Sequence, residues 1–161
     1  MTIREEVIAN IEYWTTVIDM SKVKKVLEVG IGGDPKPGGN FYLFREKKYE
    51  TMDVDERYEP TYVDDIQNPT KAPKNAYDVV ILSQVIEHTE SPQQAIWGAY
   101  KLLKKGGWLI VDCPWNFIYH PDDDFGDFWR ISATMMDKLL DDFSWKETRQ
   151  SDQLTTCLAR K

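Results

Sequence analysis

Cysteine and histidine are scarce in this chain of 161 residues, with two of each: Cys113 and Cys157, His88 and His120. Two cysteines are too few for the disulfide framework of a small secreted domain. The four residues lie far apart in the sequence and show no zinc-ligand spacing, so no metal is expected. No apolar run approaches the ~18 residues a membrane helix needs. Positive charge is also in deficit, with 20 Lys plus Arg against 27 Asp plus Glu, a net charge of −7. That balance opposes a general nucleic-acid or anionic-membrane surface, both of which call for basic patches. Repeats, low-complexity tracts and interdomain linkers are absent. The opening Met1-Thr2-Ile3-Arg4-Glu5-Glu6 has acids where a secretory leader carries basic and then apolar residues. The expectation is a cytoplasmic protein with a single domain over 1–161. Apolar residues, at 42%, suffice for one well-buried core.

The pattern along the chain alternates helix and strand. Thr2 and Glu5 form a capping box before a helix expected from Ile3 to Asp19, with Ile3, Val7, Ile11, Trp14 and Ile18 on one face. Lys24–Val29 reads as a first strand, Tyr49–Asp53 as a second and Thr61–Asp64 as a short third. Asn40 is expected to cap a brief helix over Phe41–Arg45. Tyr77–Leu82, nearly all apolar, suits a strand buried on both faces. Ser91-Pro92-Gln93-Gln94 starts a helix, and Lys104-Lys105-Gly106-Gly107 is expected to end it. Trp108–Cys113 is a fifth strand. Ser132 caps a helix to about Asp141, and Phe143–Thr148 and Gln153–Arg160 are closing strands. This alternation means a doubly wound α/β sheet. In such a sheet a ligand sits beyond the carboxyl ends of the strands, at the switch point after the first.

Chemistry-bearing residues gather at those strand ends. Glu28-Val29-Gly30-Ile31-Gly32-Gly33 follows the first strand, and its glycines allow a ligand close to the backbone. A dinucleotide fingerprint requires a third glycine where Pro35 stands. Glu28 opposes a diphosphate further, because a carboxylate repels phosphate and attracts a cationic ligand. A solvated strand-end acid is the plainer alternative. Asp53 closes the second strand, where a carboxylate can accept both hydroxyls of a ribose. Asp65-Ile66 follows the third and suits an adenine: the acid accepts from its amino group and the ring packs on the aliphatic chain. Asp55 and Asp64 are close rivals, and sequence alone separates them poorly.

Together these words resemble the class I S-adenosylmethionine-dependent methyltransferases. The resemblance rests on Val26–Gly32, Asp53, Asp65-Ile66, the run Tyr77–His88 with its Val-Ile-Glu-His, and Leu102–Val111 with Leu-Lys-Lys-Gly-Gly. It covers about Val23 to the C-terminus. It implies a mostly parallel, seven-stranded Rossmann-like sheet with an antiparallel C-terminal strand, in a three-layer sandwich. It also implies that Glu28, Gly30 and Gly32 hold the methionine end of the cofactor and that Asp53 and Val54 meet the ribose. Asp65 and Ile66 would flank the adenine, and Ser83 and Gln84 would lie near the sulfonium. Two features depart from the family pattern: Asp34 where a further glycine is usual, and the two prolines of Asp34–Gly39. His88 would be a structural helix-start residue more readily than a base.

The stretch 114–131 is long for a loop, and long loops at this edge are commonly functional. Its end, Asp127–Ser132, resembles methyltransferases acting on sugars, glycans and other small metabolites. Trp115, Tyr119, Trp129 and Arg130 are the expected acceptor-pocket residues. His120 is the expected base for an oxygen acceptor, with Asp124 or Asp127 behind it. A packed aromatic lid with solvated acids is the plainer reading of the same stretch. The adjacent Asp122, Asp123 and Asp124 suit surface solvation better than one ion. The expected activity is therefore methyl transfer to an oxygen or nitrogen of a small molecule or glycan, by a monomer or homodimer. The alternatives are a non-catalytic cofactor-binding partner module, an aminopropyl transferase, and a nicotinamide-dependent oxidoreductase opposed by Pro35 and Glu28.

Overall fold

A computed structural model describes residues 2–32, 40–121 and 125–161. Seven strands form one sheet: β1 (Lys25–Val29), β2 (Lys48–Asp53), β3 (Tyr62–Val63), β4 (Tyr77–Ser83), β5 (Leu103–Pro114), β6 (Trp145–Gln150) and β7 (Leu154–Arg160). Their order is β3-β2-β1-β4-β5-β7-β6. All pairs are parallel except those made by β7, which runs against both β5 and β6. The four helices are α1 (Ile3–Val17), α2 (Phe41–Phe44), α3 (Pro92–Leu102) and α4 (Ala133–Leu139).

Alternating strand residues build two cores, one on each face. Leu27, Val29, Val80, Leu82, Leu109, Val111, Cys113, Cys157 and Ala159 face α3 and α4. Val26, Val79, Ile81, Ile110 and Leu158 face the other way, against Ile11, Trp14 and Ile18 of the α1 region and Phe44 of α2. This is a three-layer α/β sandwich, and β4 is apolar from Val79 to Leu82 because both of its faces are covered there. Cys113 and Cys157 are buried and unlinked. Burial raises both thiols, that of Cys157 to about 12, which keeps them inert.

The helix ends differ from the sequence expectation for local reasons. The Thr2–Glu5 capping box forms, but α1 stops at Val17. Ile18 has extended backbone, yet its amide still bonds the Trp14 carbonyl and its side chain stays buried. The apolar period therefore outruns the helix by one residue. α3 ends at Leu102, before the lysines and glycines expected to end it. Leu103 already pairs with Tyr77 in the sheet, and Gly106, at φ +77°, lies in a bulge that restores register at Trp108 opposite Val79. Asn40 makes no capping bond to α2. Its side chain donates instead to the buried Glu28 carboxylate, which needs a donor more than an exposed one-turn helix does.

The strand order reverses at β1, between β2 and β4. Register places Val29 beside Met52 and Leu82, and Ser83 beside Asp112. Gly30, Asp53 and Ser83 therefore emerge together at the carboxyl edge of the sheet.

Candidate functional site

A cleft of about 680 Å³ opens at this edge, lined by Gly30, Gly32, Asp53, Val54, Asp65, Ile66, Gln84 and the aromatic Tyr58, Phe125 and Phe128. A second hollow of about 280 Å³ shares Gly30, Gly32 and Gln84 with it and adds Glu28, Asn40 and Ser83. The first turns of α1, through Ile3, Arg4, Val7 and Ile8, wall this second hollow.

Glycine is required at the floor. Gly30 has φ +73°, and a Cβ there would overlap Cγ2 of Val85. A Cβ on Gly32 would come within 3.3 Å of the Tyr58 ring. The carboxylate of Glu28 is buried and accepts from Asn40 Nδ2 and from Tyr49 Oη at 2.6 Å. Asp53 is also buried, and its Oδ1 accepts from the Asp55 amide at 2.9 Å. Burial raises its pKa, against the pull of the Asp55, Ile31 and Gly32 amides. Its rival Asp55 is occupied by Arg57 and by the Arg57 amide. Asp64 is likewise occupied by the amides of Thr70 and Lys71. Asp65 is exposed and held by Gln67, next to the buried Ile66. Val54 stands 70% exposed at the rim, an apolar surface a ring can cover.

Gln84 adopts a left-handed backbone at φ +55°. Asp112 holds it there: Oδ1 accepts from the Gln84 amide at 3.1 Å and from Nε2 at 2.6 Å, while Oδ2 accepts from Ser83 Oγ at 2.8 Å. Asp112 is fully buried, and burial lifts its pKa to about 6 despite those donors. Sequence reasoning passed over it because one acid inside an apolar strand carries no pattern. Arg4, Asn40, Tyr58, Val85, Phe125 and Phe128 were also missed, since each reaches the site only through folding.

The described residues 125–130 are pinned beside the cleft. Phe128 N donates to the Glu87 carbonyl at 2.8 Å and Trp129 Nε1 to the Thr89 carbonyl at 2.9 Å. Arg130 grips both oxygens of Asp127 and donates to the carbonyls of Phe117, Ile118 and Trp129. Asp127 also accepts from the His120 amide at 2.8 Å, and its Oδ2 lies 3.0 Å from His120 Nδ1. The Arg130 guanidinium drives the Asp127 pKa far down, so this carboxylate orients its partners and holds a proton poorly. Tyr119 is 73% exposed, and Trp115 and Trp129 are less so. Asp124 lies outside the described residues, as do Gly33 and the Asp34–Gly39 stretch. His88 lines the cleft, its Nδ1 2.6 Å from the Gly126 carbonyl, and burial lowers its pKa. One donor atom from each of Glu87, His88 and His120 lies within 4.8 Å of the others.

The donor set fits a sulfonium nucleoside. Three carboxylates, Glu28, Asp53 and Asp65, suit an amine, ribose hydroxyls and an adenine amino group. Arg4 is the only Arg or Lys among the described lining residues. The glycine floor leaves room that a side chain would fill.

The comparisons agree with this fit. The chain matches the family model described as "Methyltransferase domain" over residues 4–147. No curated protein matches it in sequence. Among solved structures it is similar to a SAM-dependent methyltransferase from Archaeoglobus fulgidus (TM-score 0.66, 14% identity, 98% of this chain and 94% of that one). It is also similar to a Burkholderia thailandensis 1,6-didemethyltoxoflavin-N1-methyltransferase with bound S-adenosylhomocysteine (TM-score 0.67, 10% identity, 97% and 76%). A third similar structure is the CurJ carbon methyltransferase (TM-score 0.66, 18% identity), of which 91% of this chain spans 50%. Identities this low carry the fold and not the acceptor. By a sequence model that spans residues 4–147, and in keeping with its sheet order, this chain belongs to the methyltransferase-domain family, enzymes that take their methyl group from S-adenosylmethionine.

Proposed function

We propose that the chain methylates an oxygen or nitrogen of a small molecule or glycan. The observation that carries the reading is the cleft at the switch point with its adjoining hollow, which together bring acids from three strand ends to a glycine floor and an aromatic-rimmed loop. In this reading Glu28, Gly30 and Gly32 hold the methionine end, and Arg4 takes its carboxylate. Asp53 and Val54 hold the ribose, and Asp65 and Ile66 the adenine. Ser83 and Gln84, fixed by Asp112, line the reacting end. The bound cofactor supplies an electrophilic methyl on a sulfonium, so the protein's task is to present the acceptor in line with it. Trp115, Tyr119, Trp129 and Arg130 are assigned to shaping the acceptor's place. His120, oriented by Asp127 with Asp124 nearby in sequence, is assigned to the proton of an oxygen acceptor. The net charge of −7 favours cationic or neutral acceptors over nucleic acid.

Thermal shift with S-adenosylhomocysteine and with NAD, side by side, tests the cofactor half. Saturation at ~100 times Kd adds about 2.7 kcal/mol, a rise of roughly 5–10 °C for a chain this size. A rise with the homocysteine compound alone is expected, and a rise with NAD alone sinks the reading. Transfer of a labelled methyl group to a panel of hydroxyl and amine acceptors tests the other half. Labelling confined to RNA would overturn the small-molecule assignment.

A further inference from the structure

Glu87 is the one described residue whose buried side-chain polar atoms have no hydrogen-bond partner, and this holds for both carboxylate oxygens. It is fully buried. Asp112 and Asp127 bring like charge to it, and Arg130 is the opposite charge nearby. Arg130 is already paired with Asp127. A buried carboxyl in this setting keeps its proton unless a cation meets it.

Two imidazoles stand beside it, both turned so that one nitrogen is available. Glu87 Oε1 and His88 Nε2 are 3.8 Å apart. His88 Nδ1 lies 2.6 Å from the Gly126 carbonyl. A carbonyl only accepts, so Nδ1 carries the hydrogen and Nε2 keeps its lone pair. His120 Nδ1 lies 3.1 Å from the Ile118 carbonyl and 3.0 Å from Asp127 Oδ2, two close acceptors that outweigh the longer 3.4 Å approach of Arg130 Nη2 and favour the same tautomer. Ring N–H groups tied to a carbonyl or carboxylate are the outer-shell arrangement of metal-binding imidazoles.

We propose that Glu87, His88 and His120 form a site for a divalent transition-metal ion of the zinc class, bound through one carboxylate oxygen and two imidazole nitrogens. Loading would draw the three donors, which lie within 4.8 Å of one another, inward to the ~3.4 Å mutual spacing that tetrahedral bonds of ~2.0–2.2 Å impose. Two nitrogens and one oxygen select against Mg2+, which prefers an all-oxygen shell. The fold requires no metal, so the site is an addition made by this chain's own residues. Sequence spacing hides it, because an adjacent Glu-His pair meets a distant histidine only through the pinned loop. Three protein ligands leave a coordination position open. His88 belongs both to the cluster and to the cleft wall, so an acceptor oxygen would meet the ion instead of the bare imidazole of His120. That last placement rests on the methyl-transfer reading, whereas the binding of the ion does not.

The test is calorimetric titration of the metal-stripped full chain with Zn2+, with Mg2+ as the hard-cation control and Co2+ for its visible spectrum. Saturable Zn2+ binding at a single site is expected, with none for Mg2+. E87Q and H120A should each weaken Zn2+ at least tenfold and remove the visible bands of nitrogen-bound Co2+. The S-adenosylhomocysteine thermal shift, run on metal-free wild type and both variants, reports folding and cofactor binding separately. Cofactor binding without metal uptake by the wild type overturns the site and leaves the methyltransferase reading intact. Metal uptake without cofactor binding does the reverse. Uptake unchanged by both substitutions also overturns the site.

Discussion

Each cleft residue is set by a local balance of burial and donors. Asp53 is buried yet close to three backbone amides, so it can stay ionised and accept from two hydroxyls. Asp53→Ala is expected to weaken S-adenosylhomocysteine by at least ~10-fold, since hydrogen bonds to a charged group contribute about 1.5–3 kcal/mol. Calorimetry alongside an unchanged circular-dichroism spectrum checks this. Affinity equal to wild type would end the ribose assignment. Gly30 combines a positive φ with a Cβ position already taken by Val85. Gly30→Ala should cost about 1–2 kcal/mol from backbone strain alone, with more from displaced Val85, and should reduce ligand affinity as the floor rises. A melting temperature within a degree of wild type would contradict that.

At the scale of the elements, the turn after β4 is held from β5. Asp112 satisfies Ser83 and two donors of Gln84, and thereby keeps Gln84 in its left-handed conformation. Asp112→Ala leaves the part-buried donors of Ser83 and Gln84 without their acceptor, a loss of about 1 kcal/mol each. It should loosen the turn, seen as faster amide exchange at Gln84 and Val85 and weaker S-adenosylhomocysteine binding. Unchanged exchange there would mean that Val85 and the following 3-10 turn, Ile86–His88, hold it instead. α1 is tied to the far side of the sheet by Trp14, whose Nε1 donates to Thr156 Oγ1 on β7 at 2.9 Å. That bond orients the helix so that its first turns reach the hollow beside Glu28 and Asn40.

For the molecule as a whole, an ion cluster at the opposite, amino-terminal part of the sheet contributes to acid stability, beside the Asp127–Arg130 pair. Glu50 on β2 is desolvated, but Tyr77, Lys25, Lys48 and Tyr62 all donate to it and hold its pKa at about 2, against an ordinary 4.5. A carboxylate depressed on folding contributes stability that is present above pH ~4.5 and lost as pH falls toward 2. The contribution is of order 3 kcal/mol at neutral pH. E50Q should therefore be less stable than wild type at pH 7, with the gap closing between pH ~4.5 and ~2. Denaturant unfolding across that range checks the sign, and a gap constant with pH would show that the loss is one of packing.

Much of this architecture is already legible along the chain. The two-faced apolar run of β4, the Thr2–Glu5 box, the Ser91-Pro92 start of α3 and the acids after β1, β2 and β3 are local patterns. Local patterns follow from dihedral preference and from which side of an element must leave water. Those same patterns left Asp53 and Asp55, or Asp64 and Asp65, unresolved, because choosing between neighbours depends on who else needs a carboxylate. Folding places Asp55 with Arg57, Asp64 with the Thr70 and Lys71 amides and Asp65 with Gln67. It likewise turned Asn40 from a helix cap into a donor for Glu28 and made Asp112 the support of Gln84. It also brought Glu87 and His88 against His120. These are contacts between segments far apart in sequence. They exist only once the sheet register and the pinned loop have brought those segments together, which no local propensity encodes.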